Sequence, residues 1–242
     1  MSSILENFDS AAKSYEAHAT AQAALAAELA KWIMPIERKG VAVEFGAGTG
    51  LLTRKLQPWK GTYTATDAAP QMVEMGRLLC PSVKWAIVNA NASSSEQPVD
   101  WLLACNLLQW LDEPNAVLHA WRKLLAPGGQ FLMAIQTRGT LEELATVLPE
   151  ASPLNWREPH EWQNLFEQAG LALIHAQTWE HTTVHPSAQE LLRGVHAMGL
   201  APRHVVGAGR LRTALQDYDR KFAVKGGVRA TWRAWLVRGQ AG

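Results

Sequence analysis

From residue 40 to residue 136 the chain alternates short apolar, β-favouring runs with amphipathic stretches of nine to thirteen residues. The runs GVAVEF, TYTATD, VKWAIV, DWLLACN and QFLMAIQ read as five strands. Between them, LLTRKLQPW, APQMVEMGRLLC and PNAVLHAWRKLLA place apolar residues at helical spacing. Pro70 sits where a first helical turn loses nothing by lacking an N–H, and Pro127-Gly128-Gly129 stops the last helix. Strands alternating with helices of this length predict an α/β fold with a parallel, doubly wound sheet.

Outside this region the pattern changes. Residues 11–34 are rich in Ala, Leu and Glu with neither Gly nor Pro, which predicts one helix. Residues 139–148, 159–169 (closed by Gly170) and 187–198 also read as helices, LALIHAQTWEHTTV as a long β-like run, and VRATWRAWLV as a last strand. A helical insertion between two late strands would cap the carboxyl edge of the sheet. The expected organisation is a single domain over 1–242: an N-terminal helical segment (1–37), a core (38–138), late helices, strand and cap (139–225), and a last strand (226–242). NASSSEQPVD is its one low-complexity loop.

At 242 residues and 48% hydrophobic, the chain can bury a full core. No run of 18 apolar residues and no basic-then-apolar leader pattern occurs, so the expected place is the cytoplasm, with no membrane partner. Cys80 and Cys105 show no metal or disulfide spacing, and no metal is expected. Net charge is +1 but unevenly spread. Residues 200–242 carry nine Lys and Arg against Asp217 and Asp219, whereas residues 1–199 hold fourteen against twenty acids. A basic end suits an anionic partner, although a solvated helix face reads the same way. No basic stripe of the kind nucleic-acid binders carry is present.

The chemistry concentrates in VEFGAGTG. Gly46, Gly48 and Gly50 recur at every second position directly after a strand, where the crevice beyond the strand ends receives a ligand. Glycines permit a tight turn and close backbone approach. Glu44 would repel a phosphate but attract a cationic amino group. Asp67, closing the second strand 17 residues beyond Gly50, is placed to accept hydrogen bonds from a ribose diol. Acid, glycine turn and acid describe a site for an adenosyl amino acid better than one for a phosphate ester.

This constellation resembles the class I S-adenosylmethionine-dependent methyltransferases over residues 41–135. The resemblance implies S-adenosylmethionine as cofactor and S-adenosylhomocysteine as product. It places Glu44, Gly46, Ala47, Gly48 and Gly50 around the methionine end and Asp67 on the ribose. Ala68, Met72, Asn89 and Ala90 fall along the adenosine, Asn89 standing where the family usually has an Asp that bonds the adenine amine. Asn106 follows the fourth strand, and the segment Asn106 to Trp110 would line the substrate side.

A narrower resemblance is to the malonyl-carrier-protein O-methyltransferases of biotin synthesis. FDSAAKSYEAHATAQ matches their opening signature through Phe8, Asp9, Ala11, Ala12, Tyr15, His18 and Gln22, the spacing agreeing within one residue. NLLQW, GTLEEL, HPSAQELLRGVHAMGL and GGVRATWRAWLV resemble later segments of that family, the first being one residue shorter here and Trp232 replacing a commoner Tyr. The implied acceptor is the free carboxylate of a malonyl group on carrier protein or coenzyme A. A carboxylate is ionised at neutral pH and needs alignment and desolvation, not a general base. Tyr15 would lie near the reacting groups, with His18 structural. Arg138 and Arg193 are candidates to hold the carboxylate, and Trp110, Trp156, Trp162 and Trp179 to close the site. Arg203, Arg210, Arg212, Arg220, Lys221 and Lys225 would dock the anionic carrier. A methyltransferase of small aconitate-like acids, or a non-catalytic cofactor binder, would share the core.

Overall fold

The computed structural model describes residues 2–33, 38–92, 97–149, 156–200 and 206–242. Arg203 and residues 93–96 of the expected low-complexity loop lie outside them. An eight-stranded sheet runs in the order β3-β2-β1-β4-β5-β8-β6, with β7 paired to β8. The parallel core consists of β1 (Lys39–Phe45), β2 (Lys60–Asp67), β3 (Lys84–Ile87), β4 (Val99–Cys105) and β5 (Leu125–Gln136). β8 (Gly227–Ala241) runs antiparallel between β5 and β6 (Leu171–His185), and β7 (Ala223–Val224) forms a hairpin with it. Strand order reverses between β1 and β4, so a crevice opens at their carboxyl ends.

Both faces of the sheet are covered, which is why the central strands β4 and β5 read as nearly unbroken apolar runs. Along β5, Leu132 and Ala134 face a layer with Leu25, Leu29 and Ile33, whereas Phe131, Met133 and Ile135 face Trp121, Trp162 and Phe166. The period-two alternation of a strand delivers one residue set to each layer. The first layer is built by α2 (Thr20–Lys31), α3 (Leu51–Lys55) and α4 (Pro70–Leu79), the second by α5 (Pro114–Leu124) and α7 (Pro159–Gln168).

Three expectations need correction. The predicted helix over 11–34 is two helices, α1 (Ser2–His18) and α2, parted at Ala19, whose φ of −79° and ψ of 41° leave the helical region. Neither Gly nor Pro marks the point, and Ala19 itself is a strong helix former, so propensity does not show the break. It arises because α2 packs on the sheet while α1 packs against α4 and α8. β5 begins at Leu125, before the expected Pro-Gly-Gly stop, by way of an irregular pairing with β4 at Val99. Helix α6 is confined to Glu142–Val147, because Gly139 and Leu141 both adopt left-handed backbone angles.

The late insertion consists of α8 (Ala188–Ala197) and α9 (Ala208–Lys221), between β6 and β8 as the alternation predicts. It packs with α1, α6 and Trp110 in a third cluster containing Leu191, Val195, Met198 and Tyr218. It therefore buttresses α1, and among the described residues none of α8 or α9 lines the main cavity.

Candidate active site

Each wall of the crevice is one strand end. β1 delivers Glu44 and, through the turn after it, Gly46 to Gly50. β2 delivers Asp67, β3 leads to Asn89, and β4 ends in Cys105 and Asn106. Together with α1 they enclose a cavity of about 360 Å³, within the usual size of small-molecule sites. Glu44, Gly46, Ala47, Gly48, Asp67, Ala68, Met72, Asn89, Ala90 and Asn106 all line it. Gly50 does not: at φ 92° it precedes the first residue of α3 and packs on the Trp85 ring.

The turn is held by its own backbone and by Asp67. Ala47 N–H donates to Thr66 O at 2.9 Å, and Gly48 N–H to Asp67 Oδ2 at 2.8 Å. The other Asp67 oxygen accepts from Ala69 N–H at 2.9 Å. Gly46 and Gly48 both have positive φ, with different consequences. A Cβ on Gly46 would come within 2.9 Å of Leu107, whereas nothing lies within 4 Å of one on Gly48. Gly48 thus leaves open a cradle that any side chain would fill.

Glu44 is buried, and its Oε2 accepts from the hydroxyls of Thr53 and Tyr63, each at 2.6 Å. Burial pushes its carboxyl up to about 7 against the opposing pull of those hydrogen bonds. Burial also raises Asp67, opposed by backbone N–H donors. Tyr15 and Cys105 are raised by burial and by neighbouring acids, so both keep their protons at neutral pH. The residues lining the cavity include these four titratable groups and, among the described residues, no Lys, Arg or His. Two acids and no cation suit a positively charged ligand, and both acids are already engaged, Glu44 by the Thr53 and Tyr63 hydroxyls and Asp67 by the Gly48 and Ala69 N–H groups.

Helix α1 forms the roof through Ile4, Leu5, Phe8 and Tyr15. Phe8 meets Trp110 edge-on at 5.4 Å. Asp9 Oδ1 accepts from Gln71 N–H at 2.7 Å on the first turn of α4. Glu16 takes two hydrogen bonds from Arg54 and one from Thr49. Ser14 Oγ donates to Ala197 O of α8 at 2.8 Å, and Gly199 packs against Asn7. The roof is clasped from both sides.

Not every expected residue comes to the cavity. Arg138 pairs with Glu158 at 2.8 Å and Arg193 with Glu190, both exposed and off the lining. Arg193 pairs within its own helix, three residues from Glu190, whereas Arg138, whose N–H donates to Arg157 O, meets Glu158 twenty residues along the chain. Trp162 lies wholly in the core under Arg157, Trp179 stacks on His181 on β6, and Trp156 is absent from the lining. Only Trp110 of the four reaches the cavity. His18 ends α1 beside Gly194 of α8. Asn89 lines the cavity, but its Oδ1 already accepts from Asn91 N–H at 3.0 Å. Gln109 falls in the Asn106 to Trp110 segment expected on the substrate side, whereas the sequence gives no role to Glu16 or Cys105, whose side chains carry no periodic signal.

The residues fit S-adenosylmethionine on structural grounds. The open cradle at Gly48, the buried acids and the unpartnered buried Oδ1 of Asn106 offer space, negative charge and an acceptor.

Comparison with known proteins agrees. A family described as a methyltransferase domain matches residues 43–131. The chain is 27% identical to the malonyl-[acyl-carrier protein] O-methyltransferase of Paenibacillus sp. (strain JDR-2), over 94% of each chain. It is 30% identical to the biotin biosynthesis bifunctional protein BioCD of Bordetella avium (strain 197N), over 91% of this chain and 50% of that one, so it spans half of that protein's length. The fold is also that of the YcgJ protein of Bacillus subtilis, with a TM-score of 0.68 at 15% identity, covering 89% of this chain and 97% of that one. The glycine turn between two acids, the doubly wound sheet and these likenesses converge: the chain is a class I S-adenosylmethionine-dependent methyltransferase, similar over most of its length to curated proteins named malonyl-[acyl-carrier protein] O-methyltransferase.

Proposed function

We propose that the protein methylates the free carboxylate of a malonyl thioester, borne on acyl-carrier protein or coenzyme A, as an early step in making the pimeloyl precursor of biotin. The observation that carries this reading is the composition of the cavity: two acids already engaged by hydrogen bonds from protein hydroxyls and backbone N–H groups, two side chains that hold their protons and, among the described residues, no Lys, Arg or His. The cofactor supplies a sulfonium methyl to the attacking oxygen, forming the O–C bond as the S–C bond breaks, with the electron pair left on sulfur and no proton moved. An amine, phenol or carbon acid would need a base; a carboxylate does not.

The chain's own residues have three tasks here. Glu44 and Asp67 set a negative field for a cation, Gly48 gives the cofactor's methionine end room, and Ala68, Met72, Asn89 and Ala90 flank the adenosine. Phe8 and Trp110 keep water from two charged reactants, whose attraction grows as the dielectric falls. Tyr15, protonated, donates to the acceptor.

Carrier protein and coenzyme A are anionic, and exposed basic residues cluster on α9 and the turn beyond it: Arg210, Arg212, Arg220, Lys221 and Lys225. Charge complementarity of this kind steers association, and the docking surface is assigned to this helix. The test is to incubate the protein with S-adenosylmethionine and malonyl-carrier protein and weigh the intact carrier. A gain of one methylene unit, lost on mild ester hydrolysis, supports the reading. No gain, with S-adenosylhomocysteine still bound and a free aconitate-like acid methylated, replaces it with a small-acid methyltransferase.

A further inference from the structure

Beside the main cavity lies a smaller one of about 30 Å³, lined by Phe8, Tyr15, Gln22, Asn106, Gln109, Trp110, Gln136, Met198 and Leu200. Five of these residues, Phe8, Tyr15, Gln22, Asn106 and Trp110, also line the main cavity, so the two adjoin. The small cavity has the volume of a single small polar group. Its wall carries an unusual set of unsatisfied atoms. Both Nε2 and Oε1 of Gln109 are buried without a hydrogen-bond partner, as are Oε1 of Gln22 and Oδ1 of Asn106. Gln22 is 4% exposed and Gln109 8%. Native proteins pair the great majority of such groups, and a cluster of exceptions calls for a reason. Asn106, which lines both cavities, also holds φ 60°, in the left-handed region that Asn enters more readily than most non-glycine residues.

The geometry points to Gln109 as the residue that binds the acceptor carboxylate, its amide N–H donating to a carboxylate oxygen that enters the small cavity, with the Tyr15 hydroxyl as second donor. This rests on the carboxylate reading above. It explains why no arginine is there. A guanidinium in this crevice would face the sulfonium across a few ångströms of low-dielectric interior, like charge against like. A neutral amide supplies a directed donor without that repulsion and leaves the sulfonium as the carboxylate's counter-charge. The orphaned oxygens of Gln22 and Asn106 lie where the two cavities adjoin and are acceptors, matched to the cofactor's ammonium and not to a second anion.

The test is steady-state kinetics of wild type, Gln109→Leu and Gln109→Asn with malonyl-carrier protein, alongside calorimetric titration of each with S-adenosylhomocysteine. A hydrogen bond to a charged group corresponds to roughly a tenfold to hundredfold effect. KM for the acceptor should rise by that factor in Gln109→Leu and less in Gln109→Asn, with S-adenosylhomocysteine affinity changed less than about threefold. The neutral acetoacetyl thioester should inhibit wild type and Gln109→Leu equally, because it lacks the carboxylate. An unchanged acceptor KM, or product affinity falling in step with it, overturns the assignment. Product binding also reports that each variant is folded. Should wild type methylate a free dicarboxylic acid and not the malonyl carrier, the carrier reading falls, and the same variants on that acid decide the subsite. Methylation of neutral acceptors alone overturns the subsite.

Discussion

Glu16 on α1 accepts two hydrogen bonds of 2.9 Å from the Arg54 guanidinium on α3, and its Oε1 also accepts from the Thr49 hydroxyl within the glycine turn. The roof is thus tied to the loop it covers. Arg54 in turn donates to Thr49 O at 2.8 Å, so one guanidinium braces both sides of the cofactor cavity.

Loosening this clasp should affect binding more than folding. The pair is about one-third exposed, which limits its contribution to stability to about 1 kcal/mol. Glu16→Gln is expected to weaken S-adenosylmethionine binding roughly threefold to tenfold, since closure over the ligand is what the ion pair favours. Calorimetric titration and a thermal melt on the same sample separate the two effects.

Gly46 and Gly48 should respond differently to alanine. Both pay for a side chain at positive φ, about 1–2 kcal/mol. Gly46→Ala also drives a methyl into Leu107, so its melting temperature should fall further. Gly48→Ala meets no protein atom and should lose more cofactor affinity than stability.

Asp67→Ala should raise the dissociation constant for S-adenosylhomocysteine by tenfold or more. It removes both the acceptor assigned to the ribose and the anchor of Gly48 and Ala69 N–H. Asp67→Asn, retaining one acceptor, should fall between.

Glu44 makes cofactor binding pH-dependent. Its carboxyl titrates near 7 in the fold against an ordinary 4.5. The unfolded chain therefore releases this proton first, and apo-protein stability falls as pH rises from about 4.5 through 7, by about 3 kcal/mol. A bound cation favours the ionised form, so S-adenosylmethionine affinity should rise between pH 6 and 8. The rise should be smaller for S-adenosylhomocysteine, whose sulfur is neutral. Glu44→Gln should flatten both trends in pH-stepped denaturation and titration.

Reversing Arg210 and Arg212 to Glu should raise the KM for malonyl-carrier protein severalfold and reduce its dependence on ionic strength, leaving product affinity unchanged. An unaltered KM removes the docking surface from α9.

Much of this protein is a local property of its sequence. The parallel core was legible because strands buried on both faces need continuous apolar letters and helices need their own spacing, as in QFLMAIQ and PNAVLHAWRKLLA. The cofactor wall was legible because a glycine turn and the acids at two strand ends are fixed by strand geometry: all but Gly50 of its expected residues meet in one cavity. The acceptor side was not. Arg138 and Arg193 carry the expected charge, yet each finds an acid on its own surface, at Glu158 and Glu190. Nor does any pattern announce that α1 turns away from α2 at Ala19 to roof the crevice, or that Gln22 and Gln109, far apart in the chain, end with orphaned amides in one small cavity. Those outcomes depend on which surfaces meet, and only the packing of α1 between α4 and α8 decides that.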